Sequence, residues 1–342
     1  MNKRILIVRL DRIGDVLLST PVIKALRDAY PDSYIAFMAR PYARDIVEGN
    51  PYLNRVIIYD KAGAEKGIFG NLKFINRLRK DKFDIAIILH PTARSHITAF
   101  LAGIPERIGY DRKCGFLLTK MIPHTKQYGL KHEIDYTLDI LRYIGVEPKD
   151  RSLYMPVKKG SEEKIRKIFA ENGMKEIDNV VVINPGASCP SKRWRPANFV
   201  RVADVLAERY NVKIVIICDD KDKPISDAVS SSMKRPCVNL SGQTSVADLA
   251  SVLRRAKIFI SNDSGPVHIA CAVGTPVVAI FGRRNRGLSP ERWSPSGDRD
   301  MVLHKDVGCN ECLAHNCKIG FKCLEAISAE EVIAAANKIL KN

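Results

Sequence analysis

No apolar run in this sequence approaches the roughly 18–20 residues that a membrane-spanning helix needs, so no transmembrane segment is expected. The first apolar stretch, Ile5-Leu6-Ile7-Val8, is followed at once by Arg9, Asp11 and Arg12. That is too short for a secretory signal and reads as the buried first strand of a cytoplasmic protein. Nine cysteines, an odd number, then do not suggest a disulfide framework. Short-period repeats and low-complexity tracts are missing. The second and third glycines of a dinucleotide fingerprint are missing after the first strand, and so is the Gly-Lys-Ser/Thr of a P-loop. Acidic residues are also in deficit: 38 Asp and Glu stand against 55 Lys and Arg, a net charge of +17. The basic residues carry no aromatic-interleaved recognition motif, which argues against a nucleic-acid binder.

What is present fits an ordinary globular protein. At about 150 residues per domain, 342 residues give two domains. A hydrophobic content of 46% and a charged content of 27% exclude a mainly disordered or collagen-like chain. The charge is uneven, +11 over residues 1–160 and +6 over 161–342. A basic first half suggests an anionic partner: a phosphorylated lipid, an acidic membrane surface or nucleic acid. A solvated Lys/Arg surface is the alternative.

Strand-like and helix-like patterns alternate along the chain. Lys3–Arg9, Tyr34–Ala39, Arg55–Tyr59 and Phe83–Leu89 read as strands, with helical patterns over Gly14–Tyr30, Asn71–Lys80 and Arg94–Leu101. Pro21 predicts a kink or break in the first helix. In the second half, strands are expected over Val180–Ile183, Val212–Ile217, Lys257–Ile260 and Pro276–Phe281. Helices are expected over Ala197–Tyr210, Ser245–Ala256, Pro266–Val273 and Ser328–Leu340. The polar, proline-containing stretch 146–160 is the best linker. The expected organisation is therefore two doubly wound α/β domains, 1–155 and 156–325, with a Cys-rich segment at 309–323 and a C-terminal helix over 326–342.

In such sheets ligands bind beyond the carboxyl ends of strands, which singles out four segments. Arg9-Leu10-Asp11-Arg12-Ile13-Gly14-Asp15 follows the first strand, and Asp15 falls in a first helical turn, as a functional carboxylate or as a plain cap. Asn184-Pro185-Gly186-Ala187-Ser188 leads to Lys192-Arg193-Trp194. Gly186 and Ser188 offer donors to a phosphate and Lys192 and Arg193 offer charge, unless this is an exposed loop anchored by Trp194. Ser261-Asn262-Asp263-Ser264-Gly265-Pro266-Val267-His268 ends a strand and opens a helix. Pro266 suits a first turn, and the N–H groups of such a turn form an anion site that His268 can join, unless Asp263 or Ser264 caps it. Cys309, Cys312, Cys317 and Cys323, with His315 nearby, offer thiolates for a structural zinc or iron, although the spacing is not that of a zinc ribbon. A reduced cysteine loop is the alternative.

Taken in order, these segments resemble the bacterial heptosyltransferases of glycosyltransferase family nine. The likeness rests on Arg9 to Pro21, on Asn184-Pro185-Gly186 with Lys192-Arg193-Trp194, and on Asn262 to Ala270. Arg107-Ile108-Gly109-Tyr110 and the cysteine run add to it. The resemblance implies an α/β GT-B fold, two facing Rossmann-like domains with the active cleft between them, the first binding acceptor and the second donor. It implies transfer of heptose from ADP-L-glycero-D-manno-heptose to the lipopolysaccharide inner core at the cytoplasmic face of the inner membrane. It also implies inversion of the anomeric carbon without a catalytic metal. By the same resemblance Asp15 is the base. Ser188, Lys192, Asp263, Ser264, Gly265 and His268 bind donor, and Arg40, Arg94 and Arg107 are candidates for acceptor phosphates or carboxylates.

The sequence departs from the family pattern after the Val212–Ile217 strand. There Cys218-Asp219-Asp220-Lys221-Asp222 replaces a Gly-Gly turn and leaves the ribose-binding acid open among three residues. Arg195 also separates Trp194 from Pro196. A family member using another nucleotide sugar or acceptor is the alternative. A non-catalytic sugar-nucleotide binder has no need of Asp15, Lys192 and His268 together.

Overall fold

The short apolar runs become the strands of two parallel sheets. The computed structural model describes residues 2–309 and 311–341, and the chain divides after Pro156 into two units. The first holds β1 (Arg4–Val8), β2 (Tyr34–Ala39), β3 (Arg55–Ile58), β4 (Ile85–Ile88), β5 (Glu106–Asp111) and β6 (Lys120–Pro123). They lie in the order β3-β2-β1-β4-β5-β6, all parallel. The second unit holds β7 (Val180–Asn184), β8 (Lys213–Ile216), β9 (Cys237–Asn239), β10 (Ala256–Asn262), β11 (Val277–Phe281) and β12 (Met301–His304). Their order, β12-β11-β10-β7-β8-β9, is the same arrangement read from the other edge, again all parallel. Two Rossmann-like α/β units are thus present.

Burial explains the composition of the strands. Ile5 to Val8 and Val181 to Ile183 are completely buried, because helices cover both faces of each sheet and these central strands have no face left for water. On one face of the first sheet, Leu6, Val8 and Ala36 pack with Phe74 and Leu78. In the second, Ile258 and Ile280 pack with Trp194, Phe199 and Leu206. The helix Ala329–Leu340 closes that core through Val332 and Ile333, and a reciprocal Ser328–Glu331 capping box starts it.

Pro21 acts as expected. The first helical pattern becomes two helices, Ile13–Leu17 and Thr20–Ala29, and the second carries the proline in its first turn, where no donor is lost. The candidate linker 146–160 contains the division at Pro156, but its last residues already belong to the helix Lys159–Glu171. Among elements the pattern did not predict, β5 reads Glu-Arg-Ile-Gly-Tyr-Asp, with buried positions only in its middle, and β9 and β12 are short edge strands. Such strands lack the continuous apolar run of central ones. No described helix is long and apolar enough to cross a membrane.

Strand order reverses between β1 and β4 in the first unit and between β7 and β10 in the second. Beyond the carboxyl ends of these pairs are the ligand-binding positions of such sheets.

Candidate active site

The first reversal point is built around one arginine. Arg9 follows β1 and is only 2% exposed. Its Nε donates to Asp11 Oδ1 at 2.8 Å, and its Nη2 to Asp15 Oδ1 at 2.8 Å and Glu133 Oε1 at 3.1 Å. Nη1 donates to the Leu89 carbonyl beyond β4 at 3.3 Å. Lys126 Nζ reaches Glu133 Oε1 at 2.7 Å. Two cations therefore serve three carboxylates.

Asp15 arrives there because the helix Ile13–Leu17 begins directly after β1. The cap residue is Arg12, with no side-chain cap, so Asp15 is not a plain cap. Burial pushes the Asp15 carboxyl up to about 6, and the charge of Asp11 adds to this while Arg9 opposes it. Burial raises Asp11 as well, against the attraction of Arg9. His90, after β4, lies with Nδ1 3.5 Å from Asp11 Oδ2. Burial and then Arg9 bring it down to about 4, so it is neutral near pH 7. A carboxyl titrating near 6 is ionised at neutral pH and a better proton acceptor than an ordinary aspartate.

Two of the three arginines proposed for the acceptor come to this end of the sheet. Arg40 follows β2 and stands 5.9 Å from the centre of the Tyr42 ring, while the Tyr42 hydroxyl donates to the Asp11 carbonyl at 2.7 Å. Burial raises the Tyr59 hydroxyl, opposed by Arg94, which is within hydrogen-bonding reach of this residue after β3, and more weakly by the charge of Arg40. Arg107 is not brought to them. It opens β5, at the opposite end of its strand, and donates to the carbonyls of Leu117 (2.6 Å), Pro105 (3.1 Å) and Ile104. Those bonds tie a strand end. Arg9 and Asp11 lay within the opening motif, but Glu133 and Lys126 carried no local signal, being more than a hundred residues away along the chain.

The second reversal point is stitched by two asparagines. Asn184, ending β7, donates through Nδ2 to Ser264 Oγ at 3.0 Å and Ser261 Oγ at 3.2 Å, and its Oδ1 accepts from the Gly186 N–H at 3.1 Å. Asn262, ending β10, donates to the Pro185 carbonyl at 2.9 Å and accepts from the Trp194 N–H at 3.0 Å. Trp194 is fully buried, edge-on to Phe199 with its indole N–H on the Ile327 carbonyl. It anchors the loop as the structural alternative required, and the loop carries its charges all the same.

Lys192 Nζ lies 3.0 Å from Asp263 Oδ2, and Arg283 Nη2 donates to the same oxygen at 2.7 Å. The Lys192, Asp263 and Arg283 side chains are 14%, 9% and 6% exposed. Burial lowers Lys192, with Asp263 opposing and Arg283 reinforcing. The Nε of Arg283 is buried without a partner. Here two cations share one carboxylate. Ser264 is the cap residue of the helix Gly265–Ala272 but makes no side-chain cap, since its hydroxyl is engaged with Asn184 and Ser261. The helix N-terminus beside Gly265 and buried His268 therefore keeps its positive end available. Ser188 is exposed on the neighbouring loop.

The loop itself is held by Asp222, which accepts from the Ala187 N–H at 2.7 Å and from Arg193 Nη2 at 2.8 Å. A Cβ on Gly186 would stand 2.9 Å from Asp222 Oδ2 and 3.0 Å from the Cys218 Cβ, so glycine is needed there for close approach. Of the three acids after β8, Asp222 is thus committed to the loop. Asp219 Oδ1 accepts from the Asp222 N–H at 3.0 Å, and Asp220 is exposed.

The cysteines do not support the metal site. Among the described residues, no group of three or more His, Cys, Asp and Glu is placed to hold a metal ion. Cys323 donates to the Gly282 carbonyl at 2.7 Å and Cys317 accepts from the Phe321 N–H at 3.3 Å. The four cysteines nonetheless share one neighbourhood: beside burial, Cys317, Cys312 and Cys309 each raise the Cys323 thiol.

Residues 71–322 match the model of glycosyltransferase family 9 (heptosyltransferase). Lipopolysaccharide heptosyltransferase 3 of Escherichia coli K12 is 28% identical over 338 residues, 96% of this chain and 95% of that one. The crystal structure of a family 9 glycosyl transferase from Veillonella parvula superposes with a TM-score of 0.90 at 28% identity, covering 99% of this chain and 98% of that one. The E. coli ADP-heptose lps heptosyltransferase II superposes with a TM-score of 0.81 at 21% identity, covering 98% of each chain, and shares the fold. A family match over most of the chain, on two sheets whose reversal points hold a basic carboxylate and a cationic loop, makes this chain a member of glycosyltransferase family 9 and a transferase enzyme.

Proposed function

We propose that this enzyme transfers heptose from an ADP-heptose donor to the core of a lipopolysaccharide, inverting the anomeric carbon, with Asp15 as general base. The observation that carries the reading is the Asp15 carboxyl raised to about 6 beside Arg9 at the first reversal point. In the reaction the acceptor oxygen bonds to the anomeric carbon while the bond from that carbon to the diphosphate oxygen breaks. The electron pair leaves with ADP, and the hydroxyl proton passes to Asp15. A nearby carboxylate also favours the positive charge that develops on the sugar ring.

Lys192, Ser188 and the helix N-terminus at Ser264, Gly265 and His268 take the diphosphate and the charge that grows on it. Asp263 keeps Lys192 and Arg283 in place and is not needed as a base. The ribose acid is Asp219 or Asp220, since Asp222 is engaged with the loop. Arg40 and Arg94 meet acceptor phosphate or carboxylate, and Arg107 drops out as a strand-end tie. The excess of basic residues in the first unit favours peripheral contact with an anionic inner-membrane surface. The likeness to lipopolysaccharide heptosyltransferase 3 and to the ADP-heptose lps heptosyltransferase II of E. coli supports the donor and acceptor classes.

The test is ADP release from ADP-heptose with a Kdo–lipid A acceptor, with a heptosylated acceptor, and with none, for wild type and Asp15→Ala. Acceptor-dependent release that vanishes in the variant is expected, and the preferred acceptor places the step. Unchanged turnover in Asp15→Ala removes Asp15 as base. No release with either acceptor, despite ADP binding, overturns the substrate assignment.

A further inference from the structure

The helix Gly67–Lys80, which follows β3, buries Phe74, Ile75 and Leu78 against the first sheet. Its first two turns do the opposite. Ile68 is 76% exposed, Phe69 87% and Leu72 46%. Positions i, i+1 and i+4 share one face of a helix, so these three side chains form a single apolar edge. A lone exposed leucine needs no explanation, but an adjoining trio with a phenylalanine almost wholly in water does.

The surroundings are cationic. Lys61, Lys66 and Lys73 are exposed and have no carboxylate partner among the described residues. The acids of this segment are spent elsewhere. Glu65 is buried on Arg77 at 3.0 Å, Asp81 pairs with Arg55 at 2.8 Å, and Asp60 accepts from the N–H groups of Ala62 and Gly63. The helix also opens without a side-chain cap and without an acidic residue in its first turn. An apolar edge inside a ring of uncompensated lysines matches the interface of a bilayer, where acyl chains lie beneath anionic headgroups. A second copy of the chain fits less well, because a self-complementary contact would set the lysines against one another. The edge lies beyond the carboxyl end of β3 and is tied to the candidate acceptor contacts, since the Tyr59 hydroxyl donates to Asn71 of this helix and is influenced by Arg94.

We propose that this end of the helix docks on an anionic lipid bilayer, with Ile68, Phe69 and Leu72 entering the headgroup–acyl boundary and Lys61, Lys66 and Lys73 meeting lipid phosphates. The proposal rests on the reading above, in which the acceptor is a membrane lipid, and it names the surface that contacts the membrane.

The test is co-sedimentation of the full chain with vesicles of phosphatidylglycerol in phosphatidylcholine, and with phosphatidylcholine alone. Wild type is compared with Ile68→Ser/Phe69→Ser and with Lys61→Glu/Lys66→Glu/Lys73→Glu. Binding to the anionic vesicles that fades with salt is expected, falling about tenfold or more in each variant. In Phe69→Trp, emission should shift to the blue on adding anionic vesicles. Wild-type binding unchanged in both variants, or no blue shift, overturns the surface. So does a self-associated wild type that the serine variant makes monomeric. Transfer to a deacylated, water-soluble acceptor is measured alongside. If it persists while wild type ignores both vesicle types, the docking fails and the enzymatic reading stands. If transfer also fails, the acceptor reading fails with it.

Discussion

The two units share a strand order and each gathers ions at the point where that order reverses, yet the balance of charge is opposite. In the first, Arg9 and Lys126 serve Asp11, Asp15 and Glu133. In the second, Lys192 and Arg283 share Asp263. Burial makes the minority charge decisive in each case. Surplus carboxylates around one guanidinium leave Asp15 unwilling to ionise, which is the condition for accepting a proton. Surplus cations around one carboxylate leave charge to spare, which is the condition for receiving a leaving diphosphate. On the proposed reading, the same fold supplies the two halves of a group transfer.

The most severe way to break this contrast is to remove the carboxylate that makes the first cluster basic. Asp15→Ala should lower kcat about a thousandfold, within the range for loss of a general base, with donor KM nearly unchanged in steady-state ADP release. Lys192→Met takes a cation from the second cluster and should lower kcat/KM for the donor about a hundredfold. Donor-independent loss there would count against the assignment.

A pH profile sharpens the comparison. Because Asp15 titrates at about 6 and must be ionised to act, kcat/KM should fall tenfold per pH unit below that value and level off above it. Glu133→Gln removes a like charge, so the acid limb should move to lower pH. An unmoved limb would detach Glu133 from the base.

The smallest effect concerns stability. A raised carboxyl pKa means that the native state holds its proton more tightly than the unfolded chain does. The resulting stabilisation is full below about pH 4 and is lost as pH rises through 6. Asp15→Asn should therefore be inactive and yet more stable at pH 7.5 by about 1–3 kcal/mol in urea unfolding. A less stable variant would show that the bond to Arg9 outweighs the desolvation.

Much of the fold was legible because strands buried on both faces must be continuous apolar runs. Phe83–Leu89 and Pro276–Phe281 were visible for that reason, and their centres are β4 and β11. The polar β5 and the short β9 were not, since edge or partly exposed strands take their character from neighbours. Of the candidate residues, Asp15, Lys192, Asp263 and His268 could be singled out because each lies in the loop that follows a strand run or in the first turns of the helix after it. Arg107 shows the limit of that reasoning. An arginine near a strand does not reveal which end it occupies, and this one sits at the end away from the ligand side. The cysteine spacing likewise suggested a metal site, for which no group of three or more His, Cys, Asp and Glu is placed among the described residues.

By itself, then, the sequence determined the alternation of elements, the break at Pro21 and the loops that carry chemistry, because these depend on period, proline and glycine within a few residues. Only the tertiary structure decided that Glu133 joins Asp15 on Arg9 and takes Lys126 as well, that Arg283 joins Lys192 on Asp263, and that Asp222 holds the loop 185–194. Those outcomes set the proton affinity and the spare charge of the site. They arise from burial and from contacts between residues far apart in the chain, which no local pattern records.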